Sequence, residues 1–254
     1  ISPLWDHGSV KYLGDDWFEG YKKGDRINAL LYVSPRLQEA YKGWIKHMMT
    51  VPNPHTGVAL KDDPAVAILQ IVSEDTIFFW WFRNIKGGPR RHMEEMFAEF
   101  AVNKYGSLAK TVDAWQGVTV DGDDPEAGRL GLWGIYEIIQ WPGDNRAQRI
   151  RDQVEFMARL ERDVYADIYK YMKQDLGLKQ IIGASNFHAG DRVRLDDAER
   201  WAESACDVIE INNFFGGQHK GDHAAWRIQA GHFFTNASAT RKPGLPAAKK
   251  QVVG

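Results

Sequence analysis

The first group in this sequence with the makings of a catalytic acid is Glu74, which follows the apolar run from Ala65 to Val72 with only Ser73 between. In parallel α/β folds the loops after the carboxyl ends of the strands build the functional face, so a carboxylate just past a strand is placed for chemistry. A carboxyl half-shielded by the strand end and by Phe78, Phe79, Trp80 and Trp81 would have a raised pKa, as a general acid at neutral pH requires. The structural alternative is that Glu74 caps the following helix or pairs with Arg83, Arg90 or Arg91. Asn186 and His188 follow a second apolar run, and Asn212 and Asn213 a third. Amides and imidazoles both donate and accept hydrogen bonds, which suits a hydroxyl-rich ligand; the competing role for each Asn is turn formation. Glu210 shares a strand face with Val208 and Asn212, so it either points into a barrel or is buried with a basic partner.

Other chemistries fit less well. His219 and His223 are four apart, but Gly221 lies between them in a loop-like stretch, which argues against the one-face helical pair of a zinc site. No cofactor is expected: Gly216-Gly217 lacks the spacing of a dinucleotide or phosphate loop, and no Gly-x-Ser-x-Gly nucleophile elbow occurs. Cys206 is the single cysteine, which excludes an internal disulfide framework and a multi-thiolate metal site; among Ala and Ser it reads as a small core residue.

The elements that must position these residues alternate. Ser34 as N-cap and Pro35 at the first helical position open a helix whose apolar face is Leu37, Tyr41, Trp44, Ile45 and Met48, ending near Pro52. The runs Ala65 to Val72, Gln180 to Ser185 and Asp207 to Ile211 are short and rich in β-branched residues, the pattern of strands buried on both faces in a parallel sheet. Between the first two runs, Met93, Met96, Phe97, Phe100 and Ala101 mark a helix. A longer one, capped by Asp144 or Asn145 and reaching Gly177, carries Ile150, Val154, Met157, Val164, Ile168 and Tyr171. Asp196 to Ala205 reads as a helix with Trp201, another helix opens at Asp222, and Val252-Val253-Gly254 looks like the approach to a further strand. Strands alternating with helices indicate an α/β class, barrel or open sheet.

The chain of 254 residues matches the size of one barrel domain, and no repeat or low-complexity run divides it. With 32 Lys+Arg against 34 Asp+Glu, its net charge of -2 speaks against a basic nucleic-acid-binding domain. Nothing approaches the ~18 consecutive apolar residues of a membrane span, and no leader precedes Ile1, so neither a transmembrane helix nor an intact signal peptide is expected. The ten tryptophans are more than packing usually needs and suggest flat apolar surfaces for a ligand such as sugar rings, with about half of them serving the core.

The segment Asn53-Pro54-His55-Thr56-Gly57-Val58 through Ile71-Val72-Ser73-Glu74-Asp75 resembles the region leading into the fourth barrel strand of clan A retaining glycoside hydrolases, the cellulase-like and β-galactosidase-like (β/α)8 enzymes. Asp175 to Asn186 is similar to the approach and course of their fifth strand, and Asp207 to Gly217 to their sixth. The resemblance implies a (β/α)8 TIM barrel, incomplete in this chain, with a long helical insertion after the fourth strand and residues 1–254 forming part of one catalytic domain. It implies Glu74 as the acid/base, a carbohydrate contacted by Ser73, Asn186, His188, Asn212, Phe214, Trp80 and Trp81, and a secreted or periplasmic location. The family has Asn where this chain has Ser73; that amide bonds the sugar 2-hydroxyl, which a serine would reach weakly or through water. The family's nucleophilic Glu ends the seventh strand, which is expected beyond Gly254. Two rivals stand beside this expectation: a non-catalytic carbohydrate-binding relative, and an unrelated metal-dependent barrel hydrolase.

Overall fold

A computed structural model describes residues 18–22, 24–141 and 143–212, and the backbone of 251–253. The expected helix from Asp222, the His219/His223 pair and Phe214 lie outside the described residues.

Helix α1 spans Pro35–Thr50, and the Ser34 hydroxyl accepts from the Leu37 N–H at 3.2 Å, as the capping signal requires. Its buried face is Leu37, Tyr41, Ile45 and Met49, each contributing roughly 1.5–3 kcal/mol for full burial. Trp44, expected on that face, is 36% exposed and leans on Tyr41 from the edge, and Met49 rather than Met48 occupies the innermost position. The stripe drifts because a helix turns 100° per residue, which a five-residue apolar cluster leaves ambiguous.

Strand β1 covers only Ile68–Gln70, although pairing extends past it through the N–H groups of Ile71 and Val72 to the carbonyls of Gly183 and Ala184. The chain then makes a short 3-10 turn at Trp80–Asn84 and a helical excursion: α2 (Gly87–Tyr105), α3 (Leu108–Ala114), α4 (Ile135–Ile139) and α5 (Ala147–Lys170). A π-helical turn at Tyr171–Asp175 and Gly177 in the left-handed region, φ 69°, stop α5 and deliver the chain to β2 at Ile181–Gly183. Helix α6 (Asp196–Glu203) packs along α5, and β3 (Ile209–Ile211) and β4 (Gln251–Val253) follow.

The four strands lie side by side and parallel. Ile68, Leu69 and Gln70 pair with Ile181, Ile182 and Gly183; Gly183 bridges to Val208; Ile209 to Ile211 pair with Gln251 to Val253. The tail read as the approach to a strand is thus paired with β3. The described residues form an α/β array of four parallel strands with helices between the first three, and a closed eight-stranded barrel is not shown.

Two buried polar anchors hold the excursion in place. Asp152 on α5, fully buried, accepts from Trp115 Nε1 (2.7 Å), Tyr105 Oη (2.6 Å) and Lys104 Nζ (2.9 Å). Burial acts to raise its pKa, but these donors outweigh it and hold the carboxyl below its ordinary value. Arg149, 1% exposed, grips Asp123 with two nitrogens and donates to the carbonyls of Val118 and Gly131, its guanidinium 4.4 Å above the Trp115 ring. Trp115 and Trp133, each beside Arg149, are therefore packing tryptophans. Cys206 is buried and free, as its setting suggested.

Candidate active site

Glu74 leaves β1 at the carboxyl end of the sheet, in the left-handed region with φ 52°. A non-glycine residue there carries strain that persists only where its surroundings fix it, and such residues cluster at functional sites. Its N–H donates to Asn186 Oδ1 at 2.8 Å, its carbonyl accepts from Trp81 Nε1 at 3.1 Å, and its carboxyl Oε1 accepts from Asn212 Nδ2 at 2.9 Å. Asn186 and Asn212 follow β2 and β3, and the Asn212 N–H donates to the Asn186 carbonyl at 2.6 Å. Three consecutive strands thus deliver one carboxyl and two amides to one point. Of the structural alternatives for Glu74, two arginines are taken elsewhere, Arg90 by Glu94 and Arg91 by Glu19, and the cap of the following 3-10 turn is Phe79.

One expectation fails. The Glu74 side chain is exposed, so the aromatic shielding foreseen for it is absent. Those aromatics are displaced to one side: Phe79 lies 4.5 Å from the Phe187 ring and 5.6 Å from Trp81, and His188 stacks on Phe187 at 4.9 Å. His188 Nδ1 faces the Ala189 carbonyl at 2.8 Å; as donor there, the neutral ring keeps Nε2 as an acceptor. Trp80 turns toward Gly190 and the core, away from Glu74, while Trp81 stays at the site with the Arg26 guanidinium 5.3 Å over its ring. Ser73 is half-buried at the strand end, and the amides on Glu74 come from Asn186 and Asn212 instead.

Glu210 resolves in favour of the sheet face, with an amide rather than a basic partner: its carboxyl accepts from Gln70 Nε2 on β1. To get there it crosses β2 at Gly183, where a Cβ would sit 2.8 Å from Glu210 Cδ. Burial raises its pKa, opposed by the Gln70 bond. It therefore occupies the layer of Gln70 and Gly183, while Asn212, two residues on and on the same face, reaches Glu74.

Sequence reasoning passed over the support of this site. Asp75 turns inward: its carboxyl accepts from the Ala29 N–H at 2.8 Å, and its carbonyl accepts from Tyr32 Oη at 2.9 Å and Ser185 Oγ at 3.0 Å. Behind it the Tyr32 and Tyr165 hydroxyls lie 2.8 Å apart and the Tyr165 hydroxyl 3.0 Å from buried Glu161; with Tyr32 donating to Asp75, Tyr165 donates to Tyr32 and accepts from the protonated Glu161 carboxyl. Burial pushes Asp75 up to about 7 and Glu161 up to about 8, and also raises Glu199 and Glu203 of α6. The position of Asp75 beside Glu74 was a signal of sorts; Ala29 and Arg26, from a stretch without periodicity, carried none.

No family model and no curated protein matches the chain. Among solved structures, the crystal structure of an agarase, AgWH50C, aligns with a TM-score of 0.49 at 14% identity, over 72% of this chain and 24% of the agarase. The chain thus spans about a quarter of the length of the protein it is matched to.

Proposed function

We propose that this chain is part of a (β/α)8 retaining glycoside hydrolase that cleaves β-linked poly- or oligosaccharides outside the cytoplasm, with Glu74 as the acid/base. The observation that supports the reading is the convergence of Glu74, Asn186 and Asn212 from the carboxyl ends of three adjacent parallel strands, beside an aromatic wall of Phe79, Trp81, Phe187 and His188. In this reading Glu74 protonates the glycosidic oxygen as the bond breaks and then takes a proton from the incoming water. Asn212 fixes the carboxyl while its other face meets the sugar hydroxyls, with Ser73, Asn186 and His188 lining the cleft. Retention requires a second carboxyl ~5–5.5 Å away, which in this reading comes from outside the described residues.

The test is hydrolysis of a panel of β-linked oligosaccharides and aryl β-glycosides by the protein and by Glu74→Gln. A loss of roughly 10²–10⁴-fold, steepest for poor leaving groups, is expected for removal of a general acid; unchanged turnover eliminates the assignment. The change to Ser73 favours one second reading, a carbohydrate-binding relative without turnover. Calorimetric binding of the same oligosaccharides that survives Glu74→Gln, without products, would select it.

A further inference from the structure

We infer that Asp75 is a positioning residue for Glu74, clamping the Glu74–Asp75 main chain so that the Glu74 carboxyl stays within reach of Asn212. The inference deepens the reading of Glu74 as acid/base and takes its significance from it. Both carbonyls of this dipeptide are bound, Glu74 by the Trp81 indole and Asp75 by Tyr32 and Ser185, while the Glu74 N–H is held by Asn186. The remaining tie is the Asp75 side chain, which holds the N–H of Ala29. Ala29, at φ 69°, and Glu74, at φ 52°, both carry left-handed backbone, a conformation unfavourable for a non-glycine residue. Asp75 joins the two: its carboxyl fixes one and its main chain continues the other. Cutting that tie leaves two unfavourable conformations with one fewer restraint each.

The surroundings of the Asp75 carboxyl make the clamp sensitive to its proton. Tyr32 of the 3-10 turn Leu30–Tyr32 and Glu161 of α5 face it, Tyr165 bridges those two, and Glu199 and Glu203 of α6 stand around Glu161 beside the Asp196–Arg200 ion pair. Burial is what raises Asp75 to about 7, with the N–H groups of Ala29 and Thr76 opposing it. Around neutrality the side chain passes from neutral acceptor to charged acceptor at a fixed donor.

The indole N–H of Trp81, bound to the Glu74 carbonyl, reports the position of that main chain without any substrate. The experiment follows the indole ¹H–¹⁵N resonances of the chain labelled at tryptophan from pH 5.5 to 8.5, with Trp115, bound to Asp152, as internal reference. In the unsubstituted protein the Trp81 resonance should move with a midpoint near the value of about 7 set by Asp75. Asp75→Asn keeps an acceptor for Ala29 and should leave the resonance in place but flat across that range; Asp75→Ala should displace it at every pH while Trp115 stays put. The inference is overturned if Asp75→Asn titrates as the unsubstituted protein does, or if the Asn and Ala variants give the same Trp81 position. Should Asp75→Ala fail to fold, the Asn titration decides alone. On a hydrolysed glycoside, Asp75→Ala should lower kcat by about 10- to 100-fold with KM little changed, and Asn should restore most of it, as expected for lost orientation. Absence of any hydrolysis would sink the acid/base reading and leave the indole result standing.

Discussion

A charged or charge-developing carboxyl bound by one amide depends on that amide more than on its neighbours. Asn212 Nδ2 donates to the Glu74 carboxyl, the one such donor among the described residues, and a hydrogen bond to a charged group is worth about 1.5–3 kcal/mol. Asn212→Ala should therefore lower kcat/KM by about 10- to 100-fold on any glycoside the protein hydrolyses. Asn212→Asp should cost more, since a second carboxylate would face the first; equal activity of the two variants would show that the bond is not used. The carboxyl, both asparagines and the histidine could be read from sequence because each follows a short apolar run, and strand ends converge in a parallel sheet. The placement of the aromatics could not: Phe79, Trp80 and Trp81 sit in a 3-10 turn and its entry, where no period fixes which ring faces Glu74, so Trp80 went inward and the shield was lost.

Among the strands, the middle one has a side-chain size set by its neighbour. Gly183 leaves the space through which Glu210 of β3 reaches Gln70 of β1, with a would-be Cβ 2.8 Å from Glu210 Cδ. Gly183→Ala should destabilise the fold by about 1–3 kcal/mol, the usual range for overpacking. The same change made on Glu210→Ala should cost markedly less, which paired urea denaturations would read as a coupling energy. In the excursion, Arg149→Ala should be the costly change, about 3–5 kcal/mol, because it leaves Asp123 uncompensated and strips a cation from between two indoles. The helix stripe of α5 was legible at Ile150, Met157, Val164 and Ile168, yet the same spacing puts Glu161 in line with them. A polar residue on an apolar stripe is easily passed over as an interruption. Here it is fully buried, and its position was the available sign of the acidic layer between α5, α6 and Asp75.

For the molecule as a whole, that layer sets the direction in which pH acts. Carboxyls of an unfolded chain titrate near 4, whereas burial holds Asp75 at about 7 and Glu161 at about 8, with Glu199 and Glu203 also raised. Above about pH 4 the folded state therefore binds protons that the unfolded state has released, and the stability tied to them declines with rising pH until it is spent at about 7 for Asp75 and about 8 for Glu161. Thermal unfolding should show a melting temperature that falls between pH 6 and 9, opposite to the usual behaviour of ion-paired carboxylates. Glu161→Gln, which needs no proton to be neutral, should flatten that slope; an unchanged slope would place the sensitivity elsewhere. The parallel order of β1, β2 and β3 was readable from the spacing of apolar runs, since each needs a crossover between them.

The guanidinium of Arg26 over Trp81 has a consequence for any ring that approaches the aromatic wall. An exposed cation on an indole face is bound by about 0.5–1 kcal/mol, so it is a cover that thermal motion can lift but that an incoming ring, a sugar in the proposed function, must displace. Arg26→Ala would uncover the face, and oligosaccharide affinity should rise by about two- to fivefold, the factor that this energy represents. The same exchange of cation for carbohydrate would change the emission of Trp81, giving the protein an optical readout of occupancy that requires no label and no turnover.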